Sequence, residues 1–139
     1  MKRAPLVVGV GEVGRPLYEI IKGVYPEAEW LDVEHKKIEK EISVMHICFR
    51  YSKNFVPDVV NYIKQFQPKL TLIESTVPPF TTHKIYQKAQ KPICHSPVRG
   101  RAADGFKWGF FTYTKFIGPA TEESGRMADE YYRSLGFKT

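Results

Sequence analysis

The sequence predicts an α/β fold: a doubly wound, mainly parallel sheet of about six strands in a three-layer α/β/α arrangement. Three observations carry that prediction. Short apolar runs alternate with segments of helical periodicity along the chain. The first run, "PLVVGVGEVG", leads directly into a glycine turn of the form G-x-G-x-x-G. The run "VMHICF" is apolar on both faces apart from His46, as a strand covered by helices on both sides must be.

The elements follow in order. Leu6–Val10 reads as the first strand. Val13, Leu17, Ile20, Ile21 and Val24 recur at helical spacing, and Gly23 and Pro26 end that helix. Ala28–Asp32 is the second strand, and Glu34–Ile42 a short polar helix or turn. Val44–Phe49 is the third strand. Asn54 is placed to cap the next helix, with Pro57 in its first turn and Val56, Val59, Val60 and Ile63 on one face. Leu70–Ile73 is the fourth strand. Thr81 or Thr82 caps a short helix through Ala89, and Pro92–His95 is the fifth strand. In the aromatic stretch "FKWGFFTYTKFIG", Lys115–Ile117 suits a sixth strand. Thr121 caps a last helix with Ala128, Tyr131, Tyr132 and Leu135 on one face, and Gly136 stops it.

Composition bounds the reading. The 139 residues, 42% hydrophobic and 26% charged, suit one globular domain, 1–139, with a single well-buried core. No apolar run approaches the roughly 20 residues of a membrane span, so no membrane partner is expected. The opening "MKRAPLVVGV" is too short and too glycine-broken for a signal peptide. The two cysteines, Cys48 and Cys94, show neither ligand spacing nor a disulfide pattern. No metal site is expected, and a reducing, cytoplasmic setting fits. The net charge is +6, but the 21 Lys and Arg are scattered among 15 acids. That describes a solvated basic surface better than a nucleic-acid track.

In such sheets ligands bind past the carboxyl ends of the strands, near the point where strand order reverses. The first loop there is the glycine turn. Gly9 permits the tight turn, Gly11 lets a pyrophosphate approach the backbone, and Gly14 lets the helix pack close to the strand. Asp32 ends the second strand about twenty residues on, where a carboxylate accepts from the ribose hydroxyls and disfavours a 2′-phosphate. The pattern predicts a dinucleotide, NAD in preference to NADP, although Lys36 and Lys37 follow closely. Glu12 is discordant: beside a pyrophosphate it weakens binding, or it caps the first helical turn instead. Arg15 is near enough to offset it. Arg50, after the third strand, is a candidate phosphate contact. In "IESTVPPFTT" two prolines fix the backbone, and an acid precedes the hydroxyls of Ser75 and Thr76 at the ligand edge. His95 is the only histidine at that edge and a candidate general base. His46, inside a strand, reads as a satisfied core histidine, and Cys94 as a small buried apolar residue.

The loop "IESTVPPFTT" resembles the I-E-S-T-V-P-P-G-T-T segment of the UDP-glucose/GDP-mannose dehydrogenase family. "CHSPVRG" is similar to its S-P-E-R segment, and "KFIG" to the strand that follows. The opening G-x-G-x-V-G and the acid at position 32 also match, so the resemblance spans roughly residues 5 to 135. It implies an N-terminal NAD-binding domain of Rossmann type, followed in the complete enzymes by a linking helix and a nucleotide-sugar domain. Those enzymes oxidise a sugar C6 alcohol to a carboxylate in two NAD-dependent steps. By position, Gly9, Gly11, Gly14 and Asp32 would hold the adenosine half, and Glu12 and Val13 of the same loop are further candidate cofactor-binding residues. Ser75 and Thr76 would lie near the nicotinamide, with Thr76 closest to the reacting region and His95, Ser96 and Pro97 beside it.

The departures are specific. The glutamate of S-P-E-R is Val98, the glycine of P-P-G-T-T is Phe80, and the V-P-T-P after the third strand is "FRYS". The stretch between Asp32 and the third strand is shortened. The family's catalytic cysteine, and the lysine and asparagine of its later domain, have no counterpart. The expected function is therefore a dinucleotide-binding domain that does not run the full oxidation alone, with Thr76 and His95 as its only catalytic candidates. A nucleotide sugar and a second copy of the chain are further candidate partners. Two histories fit, a piece of a longer dehydrogenase or a compact relative without the oxidation chemistry, and an end at "FKT" just past a helix leans towards the former. A non-catalytic nucleotide-binding or assembly module is the alternative. A weaker one is single-stranded nucleic acid stacking on segment 105–116, through Trp108, Phe110, Phe111 and Tyr113 with Lys107 and Lys115.

Overall fold

The computed structural model of the protein describes residues 3–32, 37–99 and 106–139, with the backbone alone at 106–108. Its elements run β1 (Ala4–Val8), α1 (Gly14–Val24), β2 (Glu29–Leu31), β3 (Ile42–Ile47), α2 (Phe55–Phe66) and β4 (Leu70–Ile73). They continue with α3 (Thr81–Ala89), β5 (Ile93–His95), α4 (Phe106–Thr112), β6 (Gly118–Pro119) and α5 (Glu122–Ser134). One six-stranded sheet has the order β2-β1-β3-β4-β5-β6, parallel except for β6. The five parallel strands β2-β1-β3-β4-β5 match the doubly wound order 3-2-1-4-5-6 without its strand 3, and the antiparallel β6 is added at the opposite edge. The deletion falls between β2 and β3, where the sequence is short. The order reverses between β1 and β3, which puts the ligand crevice at their carboxyl ends.

Alternation along the strands sorts the core into two layers. Val7, Val44, Leu70, Leu72 and Cys94 pack with α1 and α5 residues such as Leu17, Ile21, Ala128 and Tyr132. Leu6, Val8, Met45, Ile47 and Ile73 pack on the other face with Phe55, Val59, Ile63 and Ile85 of α2 and α3. The strands therefore read as continuous apolar runs because both faces are covered. Register brings their ends level: Leu31, Val8, Ile47, Ile73, His95 and Gly118 are successive partners across the sheet. Every candidate ligand loop thus leaves the sheet from one row.

Several expectations need correction. The sixth strand is Gly118–Pro119, not Lys115–Ile117; it pairs antiparallel with β5. The Lys115 N–H instead donates to the Lys138 carbonyl at 2.7 Å, so this segment pairs with the chain's last residues. The aromatic stretch before it is helical, as α4, despite Gly109. Neither Thr81 nor Thr82 caps α3. The position before the helix is Phe80, at φ +71°, and the Thr81 hydroxyl donates back to the Pro78 carbonyl. Asn54 precedes α2 but makes no side-chain cap. Thr121 does cap α5, in a reciprocal capping box with Ser124, and Gly136 takes φ +87° at its end. Residues 37–41 are irregular, and 33–36 of the expected polar helix or turn lie outside the described residues, as does Lys36.

Candidate functional site

The glycine turn divides its labour among three residues. Gly9 has φ +95°, and a Cβ there would sit 3.0 Å from the Phe49 nitrogen. At Gly14 a Cβ would lie 1.6 Å from the Gly9 carbonyl oxygen, so no side chain fits unless α1 leaves the strand. Gly11 is the opposite case: a Cβ there would meet nothing within 4 Å. The first two glycines are required by the chain itself. Gly11 is not, and the space over it is open to a ligand at the start of α1. At the start of that helix Arg15 N–H donates to the Gly11 carbonyl at 3.1 Å, Leu17 N–H to the Val13 carbonyl at 3.3 Å, and Pro16 has no N–H, which leaves the Gly14 N–H for a ligand. Val13 takes the cap position with no side-chain cap, and Glu12 and Gly11 are exposed. The carboxylate of Glu12 is thus free to meet an approaching anion.

Beside the turn lies a cavity of about 200 Å³ lined by Val8, Gly9, Leu31, Asp32, Phe49, Asp58 and Tyr62. It sits at the switch point, between the ends of β1, β2 and β3. Asp32 is exposed at its rim. Arg50 is exposed beyond the end of β3. At the end of β4, Ser75 is half-buried and donates to the Phe49 carbonyl at 2.5 Å, tying the β3 and β4 loops together. Thr76 is exposed. His95 is half-buried, and its Nε2 lies 2.9 Å from the Ser75 carbonyl. A carbonyl only accepts, so Nε2 carries a proton and donates it to this bond. Register and loops therefore bring Gly9–Gly14, Asp32, Ser75, Thr76 and His95 to one edge.

The acid before Ser75 does not belong to that edge. Glu74 is 1% exposed and holds a network that the sequence conceals. Its Oε1 accepts from the Lys115 ammonium at 2.6 Å. Its Oε2 accepts from His46 Nδ1 at 2.7 Å and from the Tyr132 hydroxyl at 2.8 Å. His46 Nε2 then faces the Tyr131 hydroxyl at 2.8 Å. Burial alone pushes the Glu74 carboxyl up; the Lys115 charge and the His46 bonds outweigh it and bring it down to about 2. Burial, followed by the Glu74 charge, pushes both tyrosines well above their usual range, so their hydroxyls keep their protons and donate. Lys115 also donates to the Ser96 carbonyl, and the Ser96 hydroxyl to the Phe116 carbonyl. The network thus clamps the starts of the β4 and β5 loops from below.

These contacts also change the aromatic segment. Lys115 is 5% exposed and committed to Glu74, and Phe110 is core, so two of the groups expected to face a nucleic acid are unavailable. The side chains of Lys107 and Trp108 lie outside the described residues, as does residue 105. Phe111 and Tyr113 remain at the surface. Both cysteines are free. Cys94 is buried and donates to the Ser124 carbonyl, and burial pushes its thiol to about 11. Burial, with Glu74 adding, pushes Cys48 well up too. Neither is a ready thiolate. Among the described residues no cluster of three metal-binding side chains occurs, and no helix is long and apolar enough to cross a membrane.

No family model matches the chain. It is 35% identical over 86 residues to the UDP-N-acetyl-D-mannosamine dehydrogenase of Methanococcus vannielii, a match covering 59% of this chain and 20% of that protein. A GDP-mannose dehydrogenase of Pseudomonas aeruginosa superposes with a TM-score of 0.71 at 18% identity, covering 94% of this chain and 44% of that one. A UDP-glucose dehydrogenase of Pyrobaculum islandicum gives 0.72 at 15% identity, covering 99% and 45%. A reductive aminase of Aspergillus terreus, solved with NADPH, gives 0.61 at 8% identity. The chain spans a fifth of the curated relative and less than half of either dehydrogenase structure. In sequence over those 86 residues the chain is similar to one nucleotide-sugar dehydrogenase, and in fold it matches about half of two others.

Proposed function

We propose that the chain binds a nicotinamide adenine dinucleotide across the carboxyl edge of its sheet, NAD in preference to NADP, without completing a sugar oxidation by itself. The observation that carries this reading is the contrast within the glycine turn. Gly9 and Gly14 are required by backbone geometry, whereas Gly11 faces open space that only a ligand would need kept clear. The pyrophosphate would lie over Gly11 against the first turn of α1. Asp32 would accept from the adenosine ribose and repel a 2′-phosphate. Ser75, Thr76 and His95 would border the nicotinamide end, and a nucleotide sugar would approach from that side. When bound, the dinucleotide supplies a hydride acceptor or donor. This chain's own part is to bind and orient it, with the Glu74–Lys115 pair holding the two loops beneath.

A non-catalytic binding module is the second reading, favoured by the two protonated thiols and by Val98 in place of an acid. Titration calorimetry tests the proposal. NAD should bind, NADP at least about tenfold more weakly, and Asp32→Ala should narrow that ratio. A folded sample that takes up neither dinucleotide refutes it. The two free cysteines fit a reducing, cytoplasmic setting.

A further inference from the structure

The cavity beside the glycine turn contains an acid to which the sequence pattern assigns no role. Val8 and Leu31 give it apolar surface, and Phe49 and Tyr62 aromatic surface. Those two rings are in tilted contact, with centroids 5.9 Å apart. That spacing leaves no slot between them, so a planar group would stack against the pair. The cavity holds about 200 Å³. This is below the roughly 300–1,000 Å³ of pockets that enclose a whole drug-sized ligand, so it suits one end of a dinucleotide. Its two carboxylates are Asp32, at the end of β2, and Asp58, in the first turn of α2. Asp58 is exposed, and its side chain has no hydrogen-bond or ion-pair partner among the described residues.

A carboxylate only accepts hydrogen bonds. Adenine offers a 6-amino donor, whereas a 6-oxo purine offers an acceptor at the same place. We infer that Asp58 reads the base of the dinucleotide, accepting from the 6-amino group of an adenine stacked on Phe49 and Tyr62. The inference rests on the dinucleotide reading above and adds a second carboxylate to it: Asp32 takes the ribose, Asp58 the base. The same charge adds to the repulsion of a 2′-phosphate. An acid in the first helical turn also favours the helix itself. The test must therefore compare bases, because a helix-stabilising role is blind to them.

The experiment titrates the chain and its Asp58→Asn variant with NAD and with nicotinamide hypoxanthine dinucleotide, after thermal melts have shown both proteins folded. The unaltered chain should bind NAD about tenfold or more tighter than the hypoxanthine analogue, the scale of one hydrogen bond to a charged group. In Asp58→Asn the preference should vanish, because a carboxamide turns to donate to the 6-oxo group as readily as it accepts. Equal affinities in the unaltered chain, or a preference that survives the substitution, would overturn the role of Asp58 while leaving the dinucleotide site standing. Failure of both compounds to bind the folded chain would overturn the dinucleotide reading and this inference with it.

Discussion

Replacing Lys115 with methionine removes the positive charge from a buried pair while keeping a long apolar stem. Glu74 has its carboxyl held at about 2 instead of the ordinary 4.5. That difference, 2.5 pH units at 1.36 kcal/mol each, corresponds to roughly 3 kcal/mol of stability at neutral pH. Removing one partner of a buried ion pair typically costs about 3–5 kcal/mol, which agrees. The sign follows from the lowered carboxyl. Its contribution is fully present above the unfolded value of 4.5 and is lost as pH falls towards 2. In Lys115→Met the depressing charge is gone, burial pushes Glu74 up, and protonation relieves the unpaired carboxylate. The variant should therefore trail the parent by about 3 kcal/mol at pH 7, and by progressively less below pH 4.5. Urea denaturation at several pH values measures both curves. A deficit under about 1 kcal/mol at pH 7, or one that does not shrink with acid, would refute the network's assigned role.

Three further outcomes follow from local geometry. Gly14→Ala must move α1 by at least the 1.4 Å that separates 1.6 Å from a tolerable 3.0 Å contact, so it should lose about 1–3 kcal/mol or more in denaturant melts. Phe80→Gly relieves a left-handed residue at φ +71° whose side chain is 76% exposed; thermal melts should show a gain of roughly 1 kcal/mol. Glu12→Gln removes an exposed carboxylate at the anion edge and should tighten NAD in calorimetry without changing the melting temperature; weaker binding would mean that the carboxylate supports the turn.

Much of the fold was legible because its signals are local. The β4 run Leu70–Ile73, the Thr121 cap and the Gly136 stop each rest on neighbours within a few residues. The shape of the glycine turn was legible for the same reason, and so was the place of Asp32 just past the end of β2. Glu74 was not. Its partner Lys115 is 41 positions away and His46 is 28, so no window along the chain joins them. In sequence the acid looked like part of a polar loop; only the sheet register shows that it turns inward while Ser75 and Thr76 stay at the edge. The two-residue β6 has too little length for an apolar pattern, and α4 hides behind Gly109 and a run of aromatics that also suits a strand. Phe80 shows the limit of residue preference. A glycine would be natural at that angle, and the chain accepts phenylalanine there at the cost of some strain.

On the proposed reading, the open space over Gly11 is kept for a pyrophosphate. Gly11→Val tests it most directly, since a side chain there meets no protein atom within 4 Å of its Cβ. Calorimetry with NAD, run beside a thermal melt, should show stability within about 0.5 kcal/mol of the parent and affinity reduced at least tenfold. Undiminished NAD affinity in a folded Gly11→Val protein would mean that no pyrophosphate lies over Gly11.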